Sequence, residues 1–261
     1  MTTSPFEDAP TTGGEVHVEI AEGIGTVRFG HPKGNSLPGV LLQRLADAIA
    51  GLGHDDSARV IVVRSSGSGP FCAGASFDEL VRIADVQEGE RFFSGFARVI
   101  LAMIRAPKLV LVRVQGRTAG GGVGIAAAGD YTLAARGASA KLSELAVGIG
   151  PFVVGPVIEH RIGRGPYAAM AVDADWRDAE WCERHGLYAR VFEDVAALDA
   201  GVDGLARTLA ASHPAAMSAM KRVFWEGTSS WEEMLVARAR MSGELVLSEH
   251  TRAAIAKFRG R

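Results

Sequence analysis

The sequence predicts an α/β fold with largely parallel strands, followed by a helical C-terminal region that begins near residue 201. Short runs with strand-like alternation are interleaved with longer runs of helical apolar spacing. Two glycine-rich segments each follow directly on a strand-like run. Beyond about residue 200 only helical patterns remain, which divides the chain into a 1–14 tail, a 15–200 core and a 201–261 helical region.

Taken in order, residues 15–20 and 25–28 alternate around Glu22-Gly23 and read as a hairpin. Ser36-Leu37-Pro38 offers a capping serine and a first-turn proline ahead of a helix over 40–50. Residues 59–63 are a compact β-branched strand that ends at the turn 65–70. A helix over 92–104 stops at Arg105-Ala106-Pro107, and the strand 109–114 runs into the second glycine cluster. Residues 131–135 and 138–142 are further short strands. Helices are expected over 202–211, 217–225 and 231–247, closed by a basic tail at Lys257, Arg259 and Arg261.

Composition narrows the function classes. The chain has 261 residues, 48% hydrophobic and 22% charged, enough for one sizeable core. Its net charge of −2, with both signs interspersed, leaves no footprint for nucleic acid or an anionic membrane. No apolar run approaches the ~18 residues that cross a bilayer. The polar, Pro/Thr-rich start reads as a loose tail rather than a signal peptide. Cys72 and Cys182 read as free thiols in a reducing compartment, and the expected setting is the cytoplasm. The seven histidines show no metal-ligand spacing, so no metal is expected.

The chemistry lies in the two glycine-bearing segments. In Phe71-Cys72-Ala73-Gly74-Ala75, small residues let a ligand approach the backbone N–H groups. Between Gly116 and Gly124 a strand passes through a glycine turn into an apolar helix, whose N-terminus presents unpaired N–H groups. Two such donors converging on one oxygen form an oxyanion hole. Gly122-x-Gly124-x-x-Ala127, with Glu144 downstream, also fits a dinucleotide fingerprint. Several strands and helices precede it, whereas that fingerprint normally opens the first βαβ unit.

The segment Phe71 to Leu80 resembles the signature loop of the enoyl-CoA hydratase/isomerase (crotonase) superfamily, and Gln115 to Asp130 resembles its second signature. Ser143-Glu144 to Gly148, Pro151, Asp175 to Leu187 and, near the start, His31-Pro32-Lys33-Gly34-Asn35 continue the similarity over roughly residues 15–260. The resemblance implies a crotonase-like spiral of ββα units, a helical C-terminal trimerisation region and acyl-CoA thioester substrates. Coenzyme A would then be part of the substrate, with no separate cofactor. It implies a homotrimer or dimer of trimers in which the N–H groups of Ala75 and Gly121 polarise the thioester carbonyl and hold the enolate. Ala73, Ser76, Phe77 and Gly122 would lie along the substrate, and Phe152 with Val153-Val154, in place of a glycine-rich stretch, would narrow the acyl site. Lys33 and Lys257 would meet CoA phosphates, although a solvated surface charge accounts for either lysine equally well.

One position departs from the pattern. Hydratases of this family pair two glutamates on one water, and the first falls at Gly124 while the second matches Glu144. Glycine carries no proton, so Glu144 is the single acid/base, suited to isomerisation or to hydration helped by substrate or water. Decarboxylation of a branched, glutaconyl-type CoA and a non-catalytic acyl-CoA-binding paralogue are the alternatives. Apolar neighbours Leu142, Leu145 and Val147 predict a half-buried Glu144 with a raised pKa. Asp78 and Glu79 are expected to favour a helix start, and Asp130 to be structural. Cys72 has no base partner in view, and the four tryptophans are expected mainly to pack.

Overall fold

The computed structural model describes residues 13–259; residues 1–12 of the expected tail, Gly260 and Arg261 lie outside that range, as do the side chains of Phe258 and Arg259. The strands are β1 (Glu15–Ala21), β2 (Ile24–Gly30), β3 (Val60–Ser65), β4 (Val110–Val114), β5 (Thr118–Ala119), β6 (Tyr131–Ala135), β7 (Ser139–Lys141), β8 (Arg177–Asp178) and β9 (Arg190–Phe192). One sheet runs β1-β2-β3-β4-β6-β9, antiparallel only between β1 and β2, and a smaller one runs β5-β7-β8. The expected hairpin is present, with Glu22 and Gly23 both at positive φ in its turn.

The helices are α1 (Gly39–His54), α2 (Phe77–Leu80), α3 (Val86–Arg105), α4 (Gly121–Ala128), α5 (Gly155–Ile162), α6 (Arg164–Asp173), α7 (Ala179–Arg184), α8 (Val195–Ala210), α9 (Pro214–Phe224), α10 (Trp231–Val246) and α11 (Glu249–Arg259). Strand alternation sorts the core into two layers. Ile61 and Val63 of β3 face the main core with α1, α3 and α4, whereas Val60 and Val62 face Leu198, Val202 and Ala206 of α8. Both sides of the sheet are covered, as a parallel sheet requires.

The capping of α1 differs from the expectation. Ser36 does not cap it, because its hydroxyl bonds His31 Nδ1 at 3.2 Å. The Gly39 N–H donates instead to the Glu79 carboxylate at 2.7 Å, so Glu79 caps a helix distant in sequence rather than only its own. Asp78 ion-pairs with Lys33. Ser76 caps α2, and Asp85 caps α3, which starts at Val86, six residues before the expected start at Phe92. Where the sequence suggested only a basic tail, α11 forms and Ile255 joins an apolar cluster with Leu80 and Val147.

The C-terminal helices are tied tightly to the core. Helix α10 crosses α3 so closely that a Cβ on Gly89 would lie 2.5 Å from Gly243 Cα. Lys221 of α9 is buried and donates to Met103 O at 2.6 Å and Lys108 O at 2.8 Å, and pairs with Asp130 at 2.9 Å. Asp130 also accepts from Val110 N–H and Trp225 Nε1–H, so its role is structural.

Candidate active site

The first loop, 69–75, is held by two amides. Asn35 sits at φ 57, a region Asn tolerates, and its Nδ2 donates to Ser66 O at 3.0 Å and Pro70 O at 2.9 Å. Gln115 Nε2 reaches Ser65 Oγ at 2.8 Å and the carbonyls of Gly69 and Pro70 at 3.3 Å. Backbone bonds then join this loop to the second one: Phe71 N–H to Arg117 O at 2.9 Å and Ala119 N–H to Cys72 O at 2.9 Å.

Glycine is required where the loops meet. Gly74 has φ +91, and a Cβ there would stand 3.1 Å from Ala119 O and 3.8 Å from Gly121 N. Gly120, at φ 51 and ψ −121, occupies backbone space that an L-residue reaches only under strain, and its N–H donates to Lys141 O at 2.9 Å. This turn starts α4 at Gly121, whose N–H lies outside the helix's own hydrogen-bond ladder. Among the described residues, the Ala75 N–H has no acceptor within the protein.

Glu144 stands over the same turn. A Cβ on Gly120 would approach its Oε1 to 3.2 Å, so any side chain there would displace the carboxylate. Oε2 is shielded from solvent and has no hydrogen-bond partner. Burial raises the carboxyl from 4.5 to about 7, against the opposing pull of its own N–H and that of Ser143. The turn Leu145–Val147 that follows is pinned by α11 through Thr251 Oγ1, which donates to Gly148 O at 2.9 Å. Leu142 and Val147 are buried beside the carboxylate's segment, but Leu145 points outward and is 51% exposed.

These groups line one apolar pocket. Of the residues singled out from sequence, Ala73, Ala75, Phe77, Gly121, Glu144 and Phe152 belong to it. Gly122 does not: it is buried against Cys72, and a Cβ there would fall 2.7 Å from Cys72 Cβ. The Ser76 hydroxyl is occupied with the α2 N-terminus, accepting from Glu79 N–H at 3.4 Å. Lys33 and Lys257 are both exposed and outside the lining. The rest of the wall comes from distant segments, including Phe93 and Phe96 of α3, Val154, and Ser242 of α10. Val154 belongs to the stretch beside Phe152 expected to narrow the acyl site, whereas no spacing in the sequence marks Phe93, Phe96 or Ser242.

Two further groups near the site are chemically quiet. The Cys72 thiol is fully buried and pushed up to about 12, which leaves it protonated and a poor nucleophile. None of the four tryptophans lines the pocket; Trp176 is 44% exposed beneath the Arg117 and Lys141 cations. Among the described residues no cluster of His, Cys, Asp and Glu could hold a metal ion, and no helix is long and apolar enough to cross a membrane.

The sequence profile of the enoyl-CoA hydratase/isomerase family matches residues 19–261. The chain belongs to this family. Methylglutaconyl-CoA hydratase of Rattus norvegicus is 30% identical over 197 residues, 74% of this chain but only 62% of that protein. Carboxymethylproline synthase of Pectobacterium carotovorum is 27% identical over 72% of this chain and 75% of its own length. The crystal structure of an enoyl-CoA hydratase from Mycobacterium avium superposes with a TM-score of 0.83 at 23% identity, covering 95% of this chain and 99% of that one. That likeness establishes the crotonase fold, with its helical C-terminal region. The named reactions of these relatives differ, so membership alone leaves the reaction open.

Proposed function

We propose that this family member is an enzyme that binds an acyl-CoA thioester with its carbonyl oxygen between the N–H groups of Ala75 and Gly121. Glu144 moves a proton to or from the resulting enolate, giving isomerisation or hydration of an enoyl-CoA. The observation that carries this reading is the Glu144 carboxyl: buried, unpartnered at Oε2, raised to about 7, and lining the pocket between the two loops. A carboxyl poised near neutrality serves as both base and acid. The α4 N-terminus supports the oxyanion role, because its N–H groups and partial positive charge favour an oxygen bearing negative charge.

Among the described residues, the lining includes no Lys, Arg or His. A second carboxylate on the acyl group would be buried without a counter-charge beside Glu144, which favours a neutral acyl group over a glutaconyl type. A homotrimer or dimer of trimers in a cytoplasmic setting belongs to the same proposal; the exposed apolar side chains of Val223, Phe224, Met241 and Leu245 on α9 and α10 support assembly with further copies.

The test is turnover of crotonyl-CoA, 3-enoyl-CoAs and 3-methylglutaconyl-CoA by the native protein and Glu144→Gln. The variant should lose about 10²–10⁴-fold in rate while still binding acyl-CoA. Equal turnover by the variant removes Glu144 from the chemistry. Binding by the native protein with no turnover of any substrate would instead identify a non-catalytic acyl-CoA-binding protein.

A further inference from the structure

Gly124 is wholly buried and does not reach the pocket; Val154 stands between them. A Cβ on Gly124 would lie 2.6 Å from Val154 Cγ1 and 2.9 Å from Val154 Cβ, with Ile100 Cδ1 at 3.4 Å behind. A side chain at 124 would have to pass through the valine to enter the site. The two positions are therefore coupled sterically: valine at 154 demands glycine at 124. Val154 is 4% exposed and lies in an apolar wall with Phe96 and Val153, so the volume it fills is hydrocarbon.

We infer that Val154 determines reaction specificity, sealing the wall at Gly124 so that the site moves a proton between two carbons and does not add water. This inference rests on the acyl-CoA reading of the site and deepens it. A hydrating water needs two or more polar partners to be held and aimed. Among the described residues, the polar side chains lining the pocket are Glu144, Ser143 and Ser242, and none comes from the wall that Val154 closes. Double-bond migration needs no water. The Glu144 carboxylate takes a proton from C2 of a 3-enoyl thioester, and the electron pair spreads into a dienolate whose oxygen faces the N–H groups of Ala75 and Gly121. The same carboxyl returns the proton to C4, leaving the 2-enoyl thioester. Atoms and charge balance with no co-reactant.

The first measurement needs no substrate. Gly124→Ala should lower Tm by about 5 °C in the native background, where the new methyl meets Val154. In the Val154→Gly background, which removes both the Cγ1 and the Cβ that the methyl would meet, the same change should leave Tm within about 1 °C or raise it. The second measurement follows a 3-enoyl-CoA by chromatography. The native protein should give 2-enoyl-CoA with 3-hydroxyacyl-CoA as a trace product. Val154→Thr and Val154→Ser, which place a hydroxyl in that wall, should each raise the hydrated share of product by about tenfold, a change of ~1.4 kcal/mol in discrimination. Equal Gly124→Ala effects in both backgrounds would overturn the steric coupling. A native protein that hydrates as fast as it isomerises, or an unchanged product ratio in both Val154 variants, would overturn the assignment of specificity. A native protein inert toward every enoyl-CoA fails the acyl-CoA reading first, and this inference falls with it.

Discussion

Replacing Glu144 by glutamine removes a titration that the fold itself has displaced. Burial penalises the charged carboxylate and raises the group from 4.5 to about 7, so the folded chain holds this proton more tightly than the unfolded chain does. The stability the group contributes is therefore complete below about pH 4.5, falls as the pH rises towards 7, and is constant above. At ~1.4 kcal/mol per pH unit the whole displacement amounts to roughly 3 kcal/mol. Most of it falls between about pH 5 and about pH 8. Glutamine keeps the shape and does not titrate. Urea unfolding of both proteins across that range should show the stability gap moving by about 2 kcal/mol in favour of Glu144→Gln as the pH rises. Parallel curves would refute a buried, raised carboxyl, whatever the variant did to turnover.

If Glu144 acts first as a base on a 3-enoyl thioester, kcat/KM should rise with pH and level off above about 7, where the carboxylate form dominates; a flat profile would remove it from that step. Gly120→Ala should lose about 1–3 kcal/mol of stability through backbone strain at φ 51, and most activity through the 3.2 Å approach to Glu144 Oε1; both are read from denaturation and turnover. Lys221→Met should destabilise by about 3–5 kcal/mol by stranding Asp130, and adding Asp130→Asn should recover part of that loss in a urea melt.

What could be read in the sequence is what local rules control. The hairpin at Glu22-Gly23, the strand Tyr131–Ala135 and the turn into α4 are each specified by residues within a few positions of one another. Glu144 was legible through its motif, and its burial through the apolar residues beside it. The capping of α1 was not, because the group that does it, Glu79, sits 40 residues away and competes with a nearer serine already bonded to His31. Nor was the pocket wall. Ser242 and Phe96 enter it only because Gly89 and Gly243 let α10 and α3 approach closely, and that contact exists only in the packed chain.

The electrostatics of the site favour one direction of charge movement. Before proton transfer the negative charge resides on Glu144, in surroundings that penalise it enough to raise its pKa to about 7. After transfer the charge is on the enolate oxygen, placed by the proposed mechanism against two backbone N–H groups, one of them at the N-terminus of α4. In the proposed mechanism charge leaves the place where the protein disfavours it and arrives beside backbone donors, so burial of the acid and the oxyanion site would lower the same barrier. Gly120 couples the two terms. Its backbone sets the start of α4, and its missing side chain leaves room for the Glu144 carboxylate at 3.2 Å. A replacement there should therefore impair the acid and the oxyanion site together, lowering kcat more than it weakens acyl-CoA binding.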